Sequence, residues 1–351
     1  MATALAAMLT TGNVTAAGGS ANLDQCANGP VSAPVPCAGA NWQNGNANAN
    51  NAHWAEGESI AYRLKFSSLA PGSSHYVTIQ WDTTKAGKHA LDYVTSYNRT
   101  EKSGNDPCSG ISGCGSPTTF PIPPDVHTGL NLPPQPASPA DGRWNELFTM
   151  FNGTITNVDI ADPFIIPAAS VPYNLTGTYA TDSSTSITIT FTAASATPVL
   201  AWGGHIGERK DWGSNNSASA ITGSPFHMRV LGLDGVGGNQ DRGLSSSAVI
   251  YPALLTITKN VLGSNGAALT GPTAFNFAGT SPAYNNVPEV DPTFTLVNDG
   301  VTPAPGTLPA NQKQFKLFSF GTTAPVTISE TTTPGFALIG LTCQATLNGV
   351  A

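Results

Sequence analysis

Two charged side chains in the last third of the chain sit where an alternating pattern calls for apolar ones. Leu255, Ile257 and Val261 share one phase, and Lys259 falls on it; Val326 and Ile328 share another, and Glu330 falls on that. Alternate residues of a strand face the same side, so both charges are expected to point toward a core. A lone buried charge is expensive, so each of these must find a partner or become neutral.

Five cysteines supply the next chemistry. Cys26 and Cys37 are close in sequence, as are Cys108 and Cys114. Neither pair has a C-x-x-C spacing and no histidine cluster stands beside them, which argues against zinc. Four cysteines allow three pairings. Local pairing, Cys26–Cys37 and Cys108–Cys114, is the expectation, each bridge stapling a Gly/Pro-rich loop with little core of its own. Such bonds imply an oxidising compartment. Cys343 is left unpaired.

Several polar and aromatic residues are candidates for binding or catalysis. Asp234, Asn239 and Asp241 place three side-chain oxygens in one Gly-rich loop. Calcium takes about six to eight oxygens, and the spacing is not that of an EF-hand. An Asx-rich turn bonding its own backbone is expected there instead, with no structural calcium. No other metal and no cofactor is expected. Glu208 and Asp211 resemble a glycosidase carboxylate pair only in being near each other. The absence of a G-x-S-x-G elbow leaves a serine-hydrolase reading without an anchor. The histidines His53, His75, His89, His127, His205 and His227 never take a metal spacing such as H-E-x-x-H. His227 falls on the polar phase of its strand and is expected to be exposed. Trp42, Trp54 and Trp212 lie in Asn/Gly/Ser-rich surroundings. Exposed in loops they would stack on sugar rings or mark a partner surface; tucked under the loops they would belong to a core.

A β scaffold must position these residues. Ile60, Tyr62, Leu64 and Phe66 alternate with Ala61, Arg63 and Lys65; Val77, Ile79 and Trp81 alternate with Thr78, Gln80 and Asp82; Ile187, Ile189 and Phe191 alternate with threonines; Phe226, Met228 and Val230 alternate with His227 and Arg229. Period two means strands with one face in a core and one in water. Turn-rich segments such as Ala70-Pro71-Gly72 separate them, so the fold class is all-β: an antiparallel sandwich with long Pro/Gly loops, followed by a second sandwich. The first domain is expected over 22–252, after a leader remnant or flexible arm at 1–21. A Pro-rich surface insertion is expected near 103–142, and strand-like sequence resumes at Trp144. The second domain is expected over 253–351; all six tryptophans precede it.

The composition excludes whole classes of function. Of 351 residues only 10% are Asp, Glu, Lys or Arg, against about 25% in ordinary soluble domains. Hydrophobic residues reach 40%, which is not the pattern of a disordered chain. The net charge is −7 with no basic cluster, so nucleic acid is not an expected partner. No apolar run approaches the ~18 residues of a membrane-spanning helix. With 37 Gly and 28 Pro, the chain reads as secreted and rich in turns.

The opening TITKNV of the last hundred residues, its phenylalanine-rich middle and its VTISETTTPGF resemble the prealbumin-like (transthyretin-like, B-type) domain of bacterial pilins and adhesins. The resemblance implies an intramolecular isopeptide bond, with Lys259 as the nucleophilic amine and Glu330 as the proton shuttle. It places the acceptor Asn in a final strand that is absent from this chain. Burial suits both roles, freeing the amine and keeping the carboxyl protonated. The chain, ending at Ala351, is expected to stop inside this domain, and the partner of Cys343 would lie beyond it. The stretches TTKAGKHALDYVTSYNRTE and SPFHMRVLGLDGVGGNQDR resemble a recurrent module of large bacterial secreted proteins. The reading is a non-catalytic extracellular or cell-surface protein, adhesin- or stalk-like, with an unknown glycan or protein ligand. A carbohydrate-binding module and an extracellular hydrolase are the alternatives.

Overall fold

The computed structural model describes residues 19–31, 33–100, 104–125, 146–159, 173–236, 240–251, 253–281, 283–284, 287–304, 307–317 and 325–342. The chain divides into two compact units, Met1–His53 with Gly57–Ala248, and Trp54–Glu56 with Val249–Ala351. Both are built from strands. Among the described residues, helix is confined to one turn at Arg209–Trp212 and three short 3-10 turns. No helix among them is long and apolar enough to cross a membrane.

The first unit pairs two seven-stranded antiparallel sheets. In one, the order is Trp42–Gln43, Ser20–Cys26, Ser59–Ser67, Val199–Ile206, Leu147–Phe151 and Pro117–Pro121, with Leu91–Thr95 also on Val199–Ile206. In the other it is Gly153–Asp159, Ser183–Ala193, Ser74–Lys85, Phe226–Leu233 and Gln240–Leu244. Asn174–Gly177 and Lys88–His89 add to Ser183–Ala193 and Ser74–Lys85. The Ala70–Ser73 turn carries the chain from one sheet to the other, which is how consecutive strands come to face each other across a core. There Phe66 meets Phe191 with ring centroids 4.8 Å apart, and Tyr62 stacks on its cross-strand partner Trp202 at 5.9 Å. Each such fully buried side chain contributes roughly 1.5–3 kcal/mol.

The alternating runs at 60–66, 77–81, 187–191 and 226–230 all form strands. Their second face is not simply in water. Ala61 and Arg63 are as buried as their neighbours, because a disulfide-bridged lobe covers that side of the sheet. Cys26 is bonded to Cys37, with Cα atoms 5.4 Å apart, and Cys108 to Cys114 at 5.7 Å. The two loops clip together: Cys37 N–H donates to Asn105, Asp106 N–H to the Cys37 carbonyl, and Gly39 N–H to Ser109 Oγ. Arg63 reaches into the lobe, donating to the Pro107 and Ser109 carbonyls and to Asp24.

The Pro-rich insertion expected near 103–142 contains a strand, Pro117–Pro121, on the end of the first sheet and paired with Leu147–Phe151. Proline is tolerated there because only one side of an edge strand needs donors. Residues 126–145, including His127 and Trp144, lie outside the described set. The first strand begins at Ser20, two residues inside the segment expected to be an arm.

In the second unit Ala253–Thr258 pairs with Gln312–Leu317, and Ala274–Thr280 lies between Thr293–Val297 and Thr327–Glu330. A short parallel ladder joins Trp54–Ala55 to Val249–Ile250. The phenylalanine-rich middle makes the core: Phe275, Phe277, Phe294 and Phe315 with Val290, Leu296 and Leu317. Leu255, Ile257, Val326 and Ile328 pack against that cluster.

Candidate functional site

Lys259 follows the Ala253–Thr258 strand, and its backbone is held by Asn311: Lys259 N–H donates to the Asn311 carbonyl at 2.8 Å, and Asn311 Nδ2 donates to the Lys259 carbonyl at 3.1 Å. This fixes the direction of the side chain, which lies on the same phase as Leu255 and Ile257. Its Nζ donates to Glu330 Oε1 at 2.6 Å and stands 4.4 Å from the centre of the Phe275 ring. Glu330, the last residue of its strand, sits opposite Phe277. The two side chains are 15% and 23% exposed, so the pair is largely withdrawn from water. Each charge is the other's partner, and the aromatic face adds a cation–π contact worth ~1 kcal/mol. Among the described residues no asparagine side chain bonds to Lys259 Nζ; Cys343 lies outside them.

Trp42 and Trp54 are buried, so of the two arrangements open to them in the sequence they take the one tucked under the loops. Trp42 packs under the disulfide lobe: its Nε1–H donates to the Asp106 carbonyl at 2.9 Å and Arg63 lies over its ring. Trp54 belongs to the parallel ladder. Trp212 is half-buried and lies flat on His89, with ring centroids 3.3 Å apart.

Around that stack is a polar hub that the sequence did not reveal. Asp92, fully buried, lies 3.2 Å from His205 Nδ1 and 3.5 Å from His89 Nδ1, and accepts from Trp212 Nε1 at 3.4 Å. Burial alone would raise the Asp92 carboxyl, but the His205 and His89 rings outweigh it and hold it below its ordinary range. Glu208 caps the start of the Arg209–Trp212 turn and Asp211 lies within it, its N–H donating to the Glu208 carbonyl at 3.2 Å. The Glu208 carboxylate lies against Gly57, where an added Cβ would stand 2.7 Å from its Oε2, while Asp211 is exposed.

Asp234 is occupied: its Oδ2 faces His75 Nδ1 at 2.7 Å and its Oδ1 accepts from Tyr76 N–H at 2.9 Å. Asp241 lies instead beside His227, at 3.9 Å, and Asn239 is outside the described residues. No group of three or more His, Cys, Asp or Glu among the described residues is arranged to hold a metal ion. His227 is not simply exposed either. It shares Asp82 with Arg229, whose two Nη atoms grip the carboxylate. Residues 145 and 147 positions apart in sequence meet here because their strands are neighbours, and nothing local signals it.

A scan against protein-family models matches none, and a search of curated proteins finds no similar sequence. A search of solved structures returns the pilus backbone protein of Streptococcus pneumoniae. That likeness is 15% identity over 85% of this chain and 82% of that one, with a TM-score of 0.19, too low to carry a conclusion.

Proposed function

We propose that this chain is part of a secreted or cell-surface protein with a mechanical role, in which the second unit is a prealbumin-like spacer and the first is the module it presents. The observation that carries the reading is the Lys259–Glu330 pair, set over Phe275 at the edge of a phenylalanine core. A solvated pair would serve for stability alone; one withdrawn from water suits the amine and carboxyl of an intramolecular amide-forming site. The two local disulfides support an oxidising destination.

In this role Lys259 Nζ attacks the side-chain amide of an asparagine from outside the described residues. Glu330 gives a proton to the departing nitrogen and takes one from the amine. One ammonia is lost, so the full-length protein from its native host should weigh about 17 Da less than its sequence for each bond formed. Lys259→Ala should restore the full mass. A native protein with the unmodified mass would refute the isopeptide role. The carbohydrate-binding alternative gains nothing from the buried Trp42 and Trp54.

A further inference from the structure

At the Ala70–Ser73 turn of the first unit three side chains line up in an order the mechanical role does not use. Ser73 Oγ stands 2.6 Å from His75 Nε2, and His75 Nδ1 stands 2.7 Å from Asp234 Oδ2. We propose that Ser73, His75 and Asp234 form an acyl-transfer relay, with Ser73 as nucleophile, His75 as general base and Asp234 as the group that orients the imidazole, acting on small, uncharged esters.

The relay is held from both ends. Asp234 has φ 52°, and its backbone N–H donates to the Tyr76 carbonyl at 2.9 Å while its Oδ1 accepts from Tyr76 N–H. That leaves Oδ2 aimed at Nδ1, which keeps a proton on Nδ1 and the lone pair of Nε2 toward the serine. The imidazole is only 11% exposed and lies against Phe191. Ser73 Oγ also contacts the Ala70 carbonyl, but that oxygen already accepts Ser73 N–H at 3.1 Å. Ala70 is exposed, so when the hydroxyl proton passes to Nε2 that carbonyl keeps the Ser73 N–H and has access to water. On the open side, Pro71, Gly72 and Ser74 are exposed, and a Cβ added at Gly72 would meet nothing within 4 Å. An ester can approach Ser73 from solvent on this side.

The balance of the step is simple. Oγ bonds to the ester carbonyl carbon as its proton moves to Nε2. The imidazolium returns that proton to the leaving oxygen, and the alcohol departs. Water, deprotonated by the same Nε2, then cleaves the acyl–Ser73 ester to a carboxylic acid and restores the hydroxyl.

The test is fluorophosphonate labelling of the whole chain, read by peptide mapping, with p-nitrophenyl acetate hydrolysis alongside. Ser74, adjacent and exposed but outside the relay, is the internal control. Ser73 should label at least ~10²-fold faster than Ser74, the usual worth of a positioned general base. Asp234→Asn retains an oxygen for Tyr76 N–H but turns an amide N–H toward Nδ1, reversing the tautomer, and should abolish that preference together with the esterase activity. Equal labelling of Ser73 and Ser74 in the unsubstituted chain would overturn the proposal, as would an Asp234→Asn chain that labels as fast as its parent.

Discussion

Replacing Asp82 by Asn separates what charge contributes to the first unit from what shape contributes. Asp82 is 5% exposed. It accepts from Arg229 Nη2 at 3.0 Å, from His227 N–H at 2.9 Å and from Ser184 Oγ at 3.1 Å, with Arg229 Nη1 completing the grip. Burial pushes the carboxyl up, yet the His227 and Arg229 contacts together prevail and hold it at about 2, against an ordinary 3.8. At ~1.4 kcal/mol per unit that difference is worth about 2 kcal/mol. The native carboxyl ionises more easily than the unfolded one. Its contribution is therefore complete above about pH 4 and is lost as the pH falls through about 2. Asp82→Asn keeps the volume but leaves the Arg229 guanidinium, 21% exposed, facing a neutral amide. We expect a loss of ~2–3 kcal/mol at pH 6, toward the lower end for a broken buried pair because Arg229 still reaches some water. Urea unfolding across pH 2–7, followed by the fluorescence of buried Trp81, should show the two curves converging at the acid end. A gap between parent and variant that stays constant down to pH 2 would refute the electrostatic account, and so would a variant of unchanged stability at pH 6.

Non-reducing peptide maps should recover Cys26 with Cys37 and Cys108 with Cys114, and a Cys26→Ala/Cys37→Ala chain should lose ~3 kcal/mol, the closure entropy of an 11-residue separation. Lys259→Met should cost the second unit ~1–2 kcal/mol, because it leaves the half-buried Glu330 without its donor; amide hydrogen exchange in the Thr327–Glu330 strand would report it. Gly203→Ala should destabilise the first unit by ~1–3 kcal/mol, since the new Cβ would stand 2.4 Å from Thr95 Oγ1 and 2.7 Å from the Ser96 carbonyl; its melting temperature is the readout.

What was legible in the sequence was what depends on neighbours along the chain. The alternation at Ile60–Phe66 and Phe226–Val230 marks strands because a pleat repeats every two residues, and the same rule put Lys259 and Glu330 on core-facing phases. The strand at Pro117–Pro121 was hidden because its prolines are admissible only at a sheet's edge, and edge position is a property of the finished sheet. The placement of Trp42 stayed open in the sequence for a related reason: Asn and Gly around it describe a loop, and only the lobe shows that the loop is pinned over the ring. The serine of the proposed relay lacks an elbow motif, and His75 and Asp234 are 159 positions apart. Asp82 and Asp92 read as ordinary acids until the strands that carry their histidines are laid beside them.

The Pro117–Pro121 strand and the two-residue Trp42–Gln43 strand stand at opposite ends of the same sheet. At two of five positions on the first, the backbone has no N–H with which to welcome a further strand, and the second is too short to guide one. Sheets that end this way do not recruit their own kind. Two copies of the protein gain little by laying these two strand edges against each other.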